Sequence, residues 1–365
     1  MSFSEEIITW YEEYGRRLPW RETDNAYYIW LSEIILQQTR IEQGRAYYER
    51  FVATYPTVQD LAAADEEQVL KLWQGLGYYS RARNLHAAAR YIVDELGGRF
   101  PDTYDGILAL KGVGRYTAAA IASFAFKLPH PVIDGNVYRL VSRCFGIATP
   151  LATATAYNEF EALLLRLIDR RRPDLFNQAM MDFGSLYCRP LVAAQDALYG
   201  QRVLEGCADC VLAHRCVAYK EGKVALLPVK KAAVAVKTRY FYYLDIRWQQ
   251  AGEEMMWVHR RGADDIWRGL YEVPLWEVEQ PIAEAQAEAV LARQVATLCG
   301  VEPLSLRRYP PLVHKLTHRD IVATYVAVSL AAPPTQEGPQ VRAVAVRELA
   351  LLPVSRLMER LLAKR

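Results

Sequence analysis

The hydrophobic pattern changes character near residue 220, and that change sets the architecture. Up to that point apolar residues recur at helical spacing, and glycine turns (GLG at 75–77, GVG at 112–114) separate the runs. A helix capped by Asp24 or Asn25 is expected over Tyr27–Gln37. Others are expected near 41–53, 66–73, 80–95, 115–126, 136–145, 156–169 and 174–186. Beyond 220 the texture turns to β-rich runs: RYFYYLDIRW, MMWVHRR, GLYEVPL and DIVATYVAVSL. Two helices, at about 283–298 and 355–364, fall among or after them. The expected fold is multidomain, a mostly α-helical body followed by a smaller α+β domain. With 365 residues, 52% of them hydrophobic, there is ample material for two or three cores.

The acidic, amphipathic N-terminus MSFSEEIITWYEEYGRR lacks a signal-peptide profile, and no run of 18 uncharged apolar residues occurs. A cytoplasmic location is expected. The net charge is only +2. Residues 1–220 carry 24 basic against 26 acidic groups, and residues 221–365 carry 20 against 16. Bulk electrostatic coating of nucleic acid is therefore excluded as the main device, and any contact must come from local placement. The segment 220–239 holds six basic residues and one acidic one. It reads as a linker in which Lys230, Lys231 and Lys237 are expected to meet phosphates.

Three of the six cysteines, Cys207, Cys210 and Cys216, fall within ten residues as C-x₂-C-x₅-C, the spacing of a metal site. Cys144 and Cys299 read as buried hydrophobes. In LALKGVGRYTAAAIASFAF a glycine turn leads directly into a helix. Gly112, Val113 and Gly114 can turn tightly and aim backbone amides at a phosphate, or the turn can serve packing alone. Asp134 in VIDGNVYRL is placed to cap the next helix, to face a cleft, or both.

LKGVGRYTA followed by VIDGNVYR resembles the helix-hairpin-helix signature of DNA glycosylases. With RRLPWR (16–21), WLSEIILQQTR (30–40) and GLGYYSRARNLH (75–86), the region from about 10 to 220 resembles the adenine DNA glycosylase (MutY) family. The resemblance implies a catalytic region over 1–220. Within it, about 26–130 would form a helix-hairpin-helix lobe. Residues 1–25 and 131–220 would form a second lobe with the cysteine loop. It also implies a linker over 221–236 and a NUDIX-like domain over 237–365.

Cleaving an N-glycosidic bond needs an acid for the departing base and an anion for the cationic sugar. Glu33 lies in the apolar stretch IWLSEIIL, where desolvation raises a carboxyl pKa. An exposed helix position or a satisfied buried acid is the other reading of that residue. The resemblance makes Glu33 the acid and Asp134 the sugar's stabiliser, with Asn136 beside it. Related enzymes that also cut the strand carry a lysine two residues after the glycine turn, as a Schiff-base nucleophile. Here that position is Tyr116, so a monofunctional enzyme that leaves an abasic site is expected.

An adenine pocket of Arg16, Leu18, Trp20, Arg21, Leu36 and Gln178 is implied in the same way, with arginine and glutamine groups available for the base edges. Gln38 and Tyr78 would wedge into the vacated stack and Thr39 would touch the opposite base. The cysteine ligands would hold a [4Fe–4S] cluster, zinc being the other option for four thiolates. The family's first ligand would be Cys188, separated from Cys207 by 18 residues through a 12-residue insertion, about RPLVAAQDALYG. Arg202, Arg215 and Lys220 on that loop are expected to meet phosphates.

Residues from 237 onward resemble the family's 8-oxoguanine recognition domain. A Phe-Ser-His motif found in many members is here Leu316-Thr317-His318, with Thr317 and His318 the expected opposite-base contacts. The signature of nucleotide pyrophosphatases is missing, so that activity is not expected. The implied partner is double-stranded DNA with A:8-oxoguanine or A:G mispairs, bound by a monomer. Two alternatives are a glycosylase for an oxidised pyrimidine or thymine mismatch, and a non-catalytic iron–sulfur DNA-binding module.

Overall fold

The computed structural model describes residues 1–191, 206–229, 237–262, 265–316, 318–335 and 341–365. Lys230, Lys231, Arg202, Thr317 and most of the inserted segment lie outside the described residues. The chain divides into two compact units, Met1–Ala62 with Ala87–Ala232 and Ala63–His86 with Ala233–Arg365. The division therefore runs through the helical region as well as through the 220–239 segment.

In chain order the helices are α1 (Phe3–Tyr14), α2 (Ala26–Ile35), α3 (Ile41–Thr54), α4 (Val58–Ala63), α5 (Glu66–Trp73) and α6 (Ser80–Asp94). They continue with α7 (Tyr104–Leu108), α8 (Arg115–Phe126), α9 (Gly135–Phe145), α10 (Ala154–Leu167) and α11 (Pro173–Asp182). The N-terminus, read only as acidic and amphipathic, is helix α1, set by a reciprocal capping box between Ser2 and Glu5. Its apolar face joins α9, α10 and α11 around Phe160, Phe176 and Phe183. Helix α2 is different, because eight of its ten residues are buried, Glu33 among them. A helix apolar on nearly every side belongs at the centre of a bundle. It packs against α3 and α8. The chain leaves α2 at Ile35, two residues before the expected end, through a turn in which the Thr39 amide donates to Leu36 O at 3.1 Å.

After Asp182 the chain widens into a π-helical turn, Phe183–Tyr187, closed by the Cys188 amide donating to Phe183 O at 2.8 Å. Gly184 explains the local geometry. A Cβ there would lie 2.7 Å from Asn136 O, so only glycine lets the turn approach the start of α9.

The second unit holds an eight-stranded mixed sheet. Its strands are β1 (Lys237–Gln250), β2 (Glu253–Arg260), β3 (Tyr271–Glu272), β4 (Leu275–Val278), β5 (Ser305–Arg308), β6 (Leu312–Lys315), β7 (Arg319–Ser329) and β8 (Val341–Ala345). β1 runs parallel to β7 from Lys237↔Arg319 to Arg247↔Ser329. Both are long enough to take two partners on the other edge. β1 pairs with β4 and then β2, and β7 pairs with β6 and then β5. Alternation splits the core in two. Phe241 and Tyr243 face Leu357, Met358 and Leu361 of the helix Arg356–Leu362. Tyr242, Leu244 and Ile246 face Leu291 and Val295 of the helix Ala287–Cys299. The segment 63–86 belongs to this unit: Lys71 Nζ donates to Leu352 O at 3.0 Å and the Tyr79 hydroxyl to Val354 O at 3.0 Å.

Asp245 of β1 is fully buried, and its carboxylate accepts from Arg247, Arg365 and the Tyr325 hydroxyl. Removing one side of such a pair leaves uncompensated buried charge. Asp245→Ala is expected to cost about 3 kcal/mol, read as a lower urea midpoint for the intact chain.

Candidate active site

Glu33 has no polar face of α2 to escape to, and the residue is 8% exposed. Burial pushes its pKa up to about 7. A hydrogen bond from the Tyr116 hydroxyl and the Arg21 charge pull the other way, and the Asp134 charge adds to the rise. Tyr116 sits in the first turn of α8, and burial together with Glu33 and Asp134 keeps its hydroxyl protonated. The structure thus brings Glu33, Tyr116 and Asp134 together.

Asp134 satisfies both sequence readings at once. It caps α9, with Oδ1 accepting from the amides of Asn136 at 2.8 Å and Val137 at 2.7 Å. Its Oδ2 accepts from Asn136 Nδ2 at 2.8 Å, and the residue remains half-buried rather than sealed. Asn136 is fixed in turn by Arg139, which donates to Asn136 Oδ1 at 2.9 Å, Gly184 O at 2.6 Å and Cys188 O at 2.8 Å. Arg139 carried no motif signal, and its role follows only from the fold.

The expected adenine-pocket residues meet a partner that sequence reasoning missed. Asp182 is fully buried and accepts from the Arg16 backbone amide at 2.9 Å and from its guanidinium. It also accepts from both Arg21 Nη atoms, at 2.8 and 2.9 Å. Burial alone would raise its pKa, but Arg21 and Arg16 hold it below the usual carboxylate value. The two guanidinium groups are therefore not simply available for a base, as the sequence reading had them. They are tied to the end of α11, which fixes the RRLPWR segment. Gln178 is oriented the same way, its Oε1 accepting from the Tyr11 hydroxyl at 2.6 Å, which leaves the amide N–H₂ as donor. Leu18 and Trp20 are both buried, and Trp20 meets Tyr48 edge-on at 5.2 Å. They serve as core whatever else they line. Gly44 of α3 admits Leu36, since a Cβ there would stand 2.5 Å from Leu36 Cδ2.

Gln38 and Tyr78 share a backbone state. Each is a non-glycine residue with positive φ, +56° and +46°. Such strain is stored where a side chain must be aimed. Tyr78 is 50% exposed, on a turn braced by the Trp73 indole N–H donating to Gly77 O at 3.0 Å. Thr39 is half-buried beside Gln38. At the glycine turn Gly112 has φ +82°, Val113 is buried as an anchor, and Gly114 begins α8 with no side-chain cap. That leaves first-turn amides for an external acceptor. In the second unit, Leu316 and Arg319 close the β6–β7 hairpin, Leu316 packs into the core and His318 is exposed at the tip.

Cys188, Cys207, Cys210 and Cys216 line one cavity of about 30 Å³. Among the described residues no three His, Cys, Asp or Glu side chains converge on a single ion position. Cys299 is a buried hydrophobe as expected, but Cys144 is more than that. It lines the same cavity as Cys216, whose thiol donates to Arg143 O at 3.5 Å. Arg215 departs from expectation: it donates to Glu6 at 2.9 Å and to Met1 O, tying the cysteine loop to α1. Lys220 is exposed.

Two family profiles match this chain. One is described as HhH-GPD superfamily base excision DNA repair protein and covers residues 31–166. The other is a NUDIX domain over residues 246–364. Fold and site together define a helix-hairpin-helix DNA glycosylase joined to a NUDIX-like α+β domain. The adenine DNA glycosylase of Buchnera aphidicola subsp. Schizaphis graminum is 30% identical over 278 residues, 76% of this chain and 76% of its own length. The adenine DNA glycosylase of Rattus norvegicus is 40% identical over 239 residues, 62% of this chain and 44% of the rat protein. The chain belongs to the adenine DNA glycosylase family. A solved thermostable thymine-DNA glycosylase superposes with a TM-score of 0.53 at 27% identity, covering 60% of this chain and 95% of that one. No helix among the described residues is long and apolar enough to cross a membrane.

An acid with a pKa near 7 is lost as pH rises through that value. Single-turnover excision is expected to fall above pH 7 by about tenfold per unit. Tyr116→Phe removes a bond that favours the Glu33 anion, so it should move that limb to higher pH. Gly184→Ala should displace Asn136 and lower turnover by about ten- to a hundredfold at little cost in DNA affinity.

Proposed function

We propose that the chain excises adenine paired with 8-oxoguanine or guanine in double-stranded DNA and leaves an abasic site without cutting the strand. The observation that carries this reading is the pairing of a buried acid, Glu33, with a helix-capping carboxylate, Asp134, about one tyrosine. The adenine is extruded into the region of Trp20, Leu36 and Gln178. Glu33 gives its proton to the departing base, and the electrons of the glycosidic bond leave with it. The sugar becomes oxocarbenium-like, and Asp134 stabilises it electrostatically or as a transient covalent adduct. Water then supplies hydroxide to the sugar carbon and its proton returns to a carboxylate. Tyr116 offers no amine, so no Schiff base forms and no strand cleavage is coupled to the reaction.

Gln38, Thr39 and Tyr78, with Thr317 and His318, are assigned to the wedge and the base opposite. The amides at 112–116 are assigned to a phosphate. Four cysteines spread around a cavity suit a [4Fe–4S] cluster, in which each thiolate holds its own iron. A single zinc ion needs all four sulfurs about 2.3 Å from one point. When bound, such a cluster would order the loop that Cys207, Cys210 and Cys216 close, and none of the bond-breaking steps runs through it. A cytoplasmic monomer completes the reading.

The test is excision from duplexes containing A:8-oxoguanine, A:G, T:G and thymine glycol. The wild type should act on the two adenine substrates, and strands should break only after alkali. Glu33→Gln and Asp134→Asn should each lose at least about a hundredfold in rate. Preference for T:G or thymine glycol would overturn the substrate, and retained activity in both variants would overturn the mechanism.

A further inference from the structure

Arg143 lies in α9 and is 3% exposed. A guanidinium keeps its charge in any protein setting, so this is a permanent buried cation. Its Nε donates to Leu227 O at 3.1 Å. Its Nη1 donates to Arg189 O at 2.8 Å and to Cys188 Sγ at 3.4 Å. Among the described residues no carboxylate pairs with it. The contrast within the chain is direct. Arg261, buried to a similar degree, is paired with Glu272 and Asp265. Arg21 and Arg16 share Asp182. A buried cation without a counter-charge is strongly disfavoured, so the missing negative charge must come from what Arg143 faces. It faces the thiol cavity, whose wall it shares with Cys188, Cys207, Cys210 and Cys216. Neutral thiols supply no charge. Metal-bound thiolates do.

We propose that Arg143 is the fixed counter-cation of the four-thiolate centre. It holds the Cys188 sulfur through an N–H···S bond, and its charge favours the more reduced, more negative state of the bound cluster. This rests on the iron–sulfur reading given above. Cys188 is the sulfur to which the Arg143 guanidinium donates, which supports it as a ligand independently of spacing. Cys144, the next residue, lines the same cavity.

The test uses the intact holoprotein. Absorbance near 400 nm with iron and sulfide analysis reports the cluster, and a redox titration without DNA reports its potential. Arg143→Lys keeps the charge and Arg143→Gln removes it. The Gln variant should show a potential shifted to more negative values and faster bleaching by an iron chelator, with the Lys variant close to wild type. If the Gln variant retains no cluster, retention in the Lys variant supports the proposal and loss in both overturns it. Wild-type potential and bleaching in the Gln variant, or equal shifts in both, would also overturn it. Colourless wild-type protein with stoichiometric zinc would sink the iron–sulfur reading itself, and the inference about potential with it.

Discussion

Desolvation of one carboxyl governs this structure. Helix α2 is apolar on nearly every side, so placing it at the centre of the bundle buries Glu33 whichever way the helix is turned. The cost of burying charge becomes a proton held near neutral pH. Everything around the site moderates that single effect. Tyr116 and Arg21 restrain the rise, and Asp134 adds to it. Two carboxyls with separate environments can then take separate roles, one as acid and one as anion.

The second theme is fixation by partners distant in sequence. Asp134 is held by its own helix, Asn136 by Arg139, and Arg139 by the carbonyls of Gly184 and Cys188. A continuous set of hydrogen bonds therefore joins the Asp134 carboxylate to the backbone of Cys188. The arginines of RRLPWR are fixed in the same manner by Asp182. Polar groups that must be precise are each given more than one bond, which is how a buried network gains rigidity.

Much of this was legible in the sequence where periodicity or a motif carried it. Helices α5 and α8 run over the residues their apolar spacing marks out, and the texture change near 220 does separate helix from sheet. The apolar stretch IWLSEIIL favours a desolvated Glu33 over an exposed one, and the burial of α2 on nearly every side decides between them. What stayed hidden was long-range. Asp182 in FNQAMMDFG looks like an ordinary helix acid, and its partners lie more than 160 residues earlier. Tyr11 and Arg139 gave no local signal for the same reason. Cys144 reads as a hydrophobe because a lone cysteine carries no spacing, yet the fold sets it on the same cavity wall as Cys216. β5 and β6 are four residues each, too short for alternation to announce them.

The central claim is that Glu33 holds its proton near neutral pH because α2 buries it. The direct measurement is a carboxyl titration by carbon-detected NMR on protein with labelled glutamate, the Glu33 signal being assigned by its loss in Glu33→Gln. A midpoint near 7 is predicted. A midpoint near the ordinary 4.5 would contradict the account.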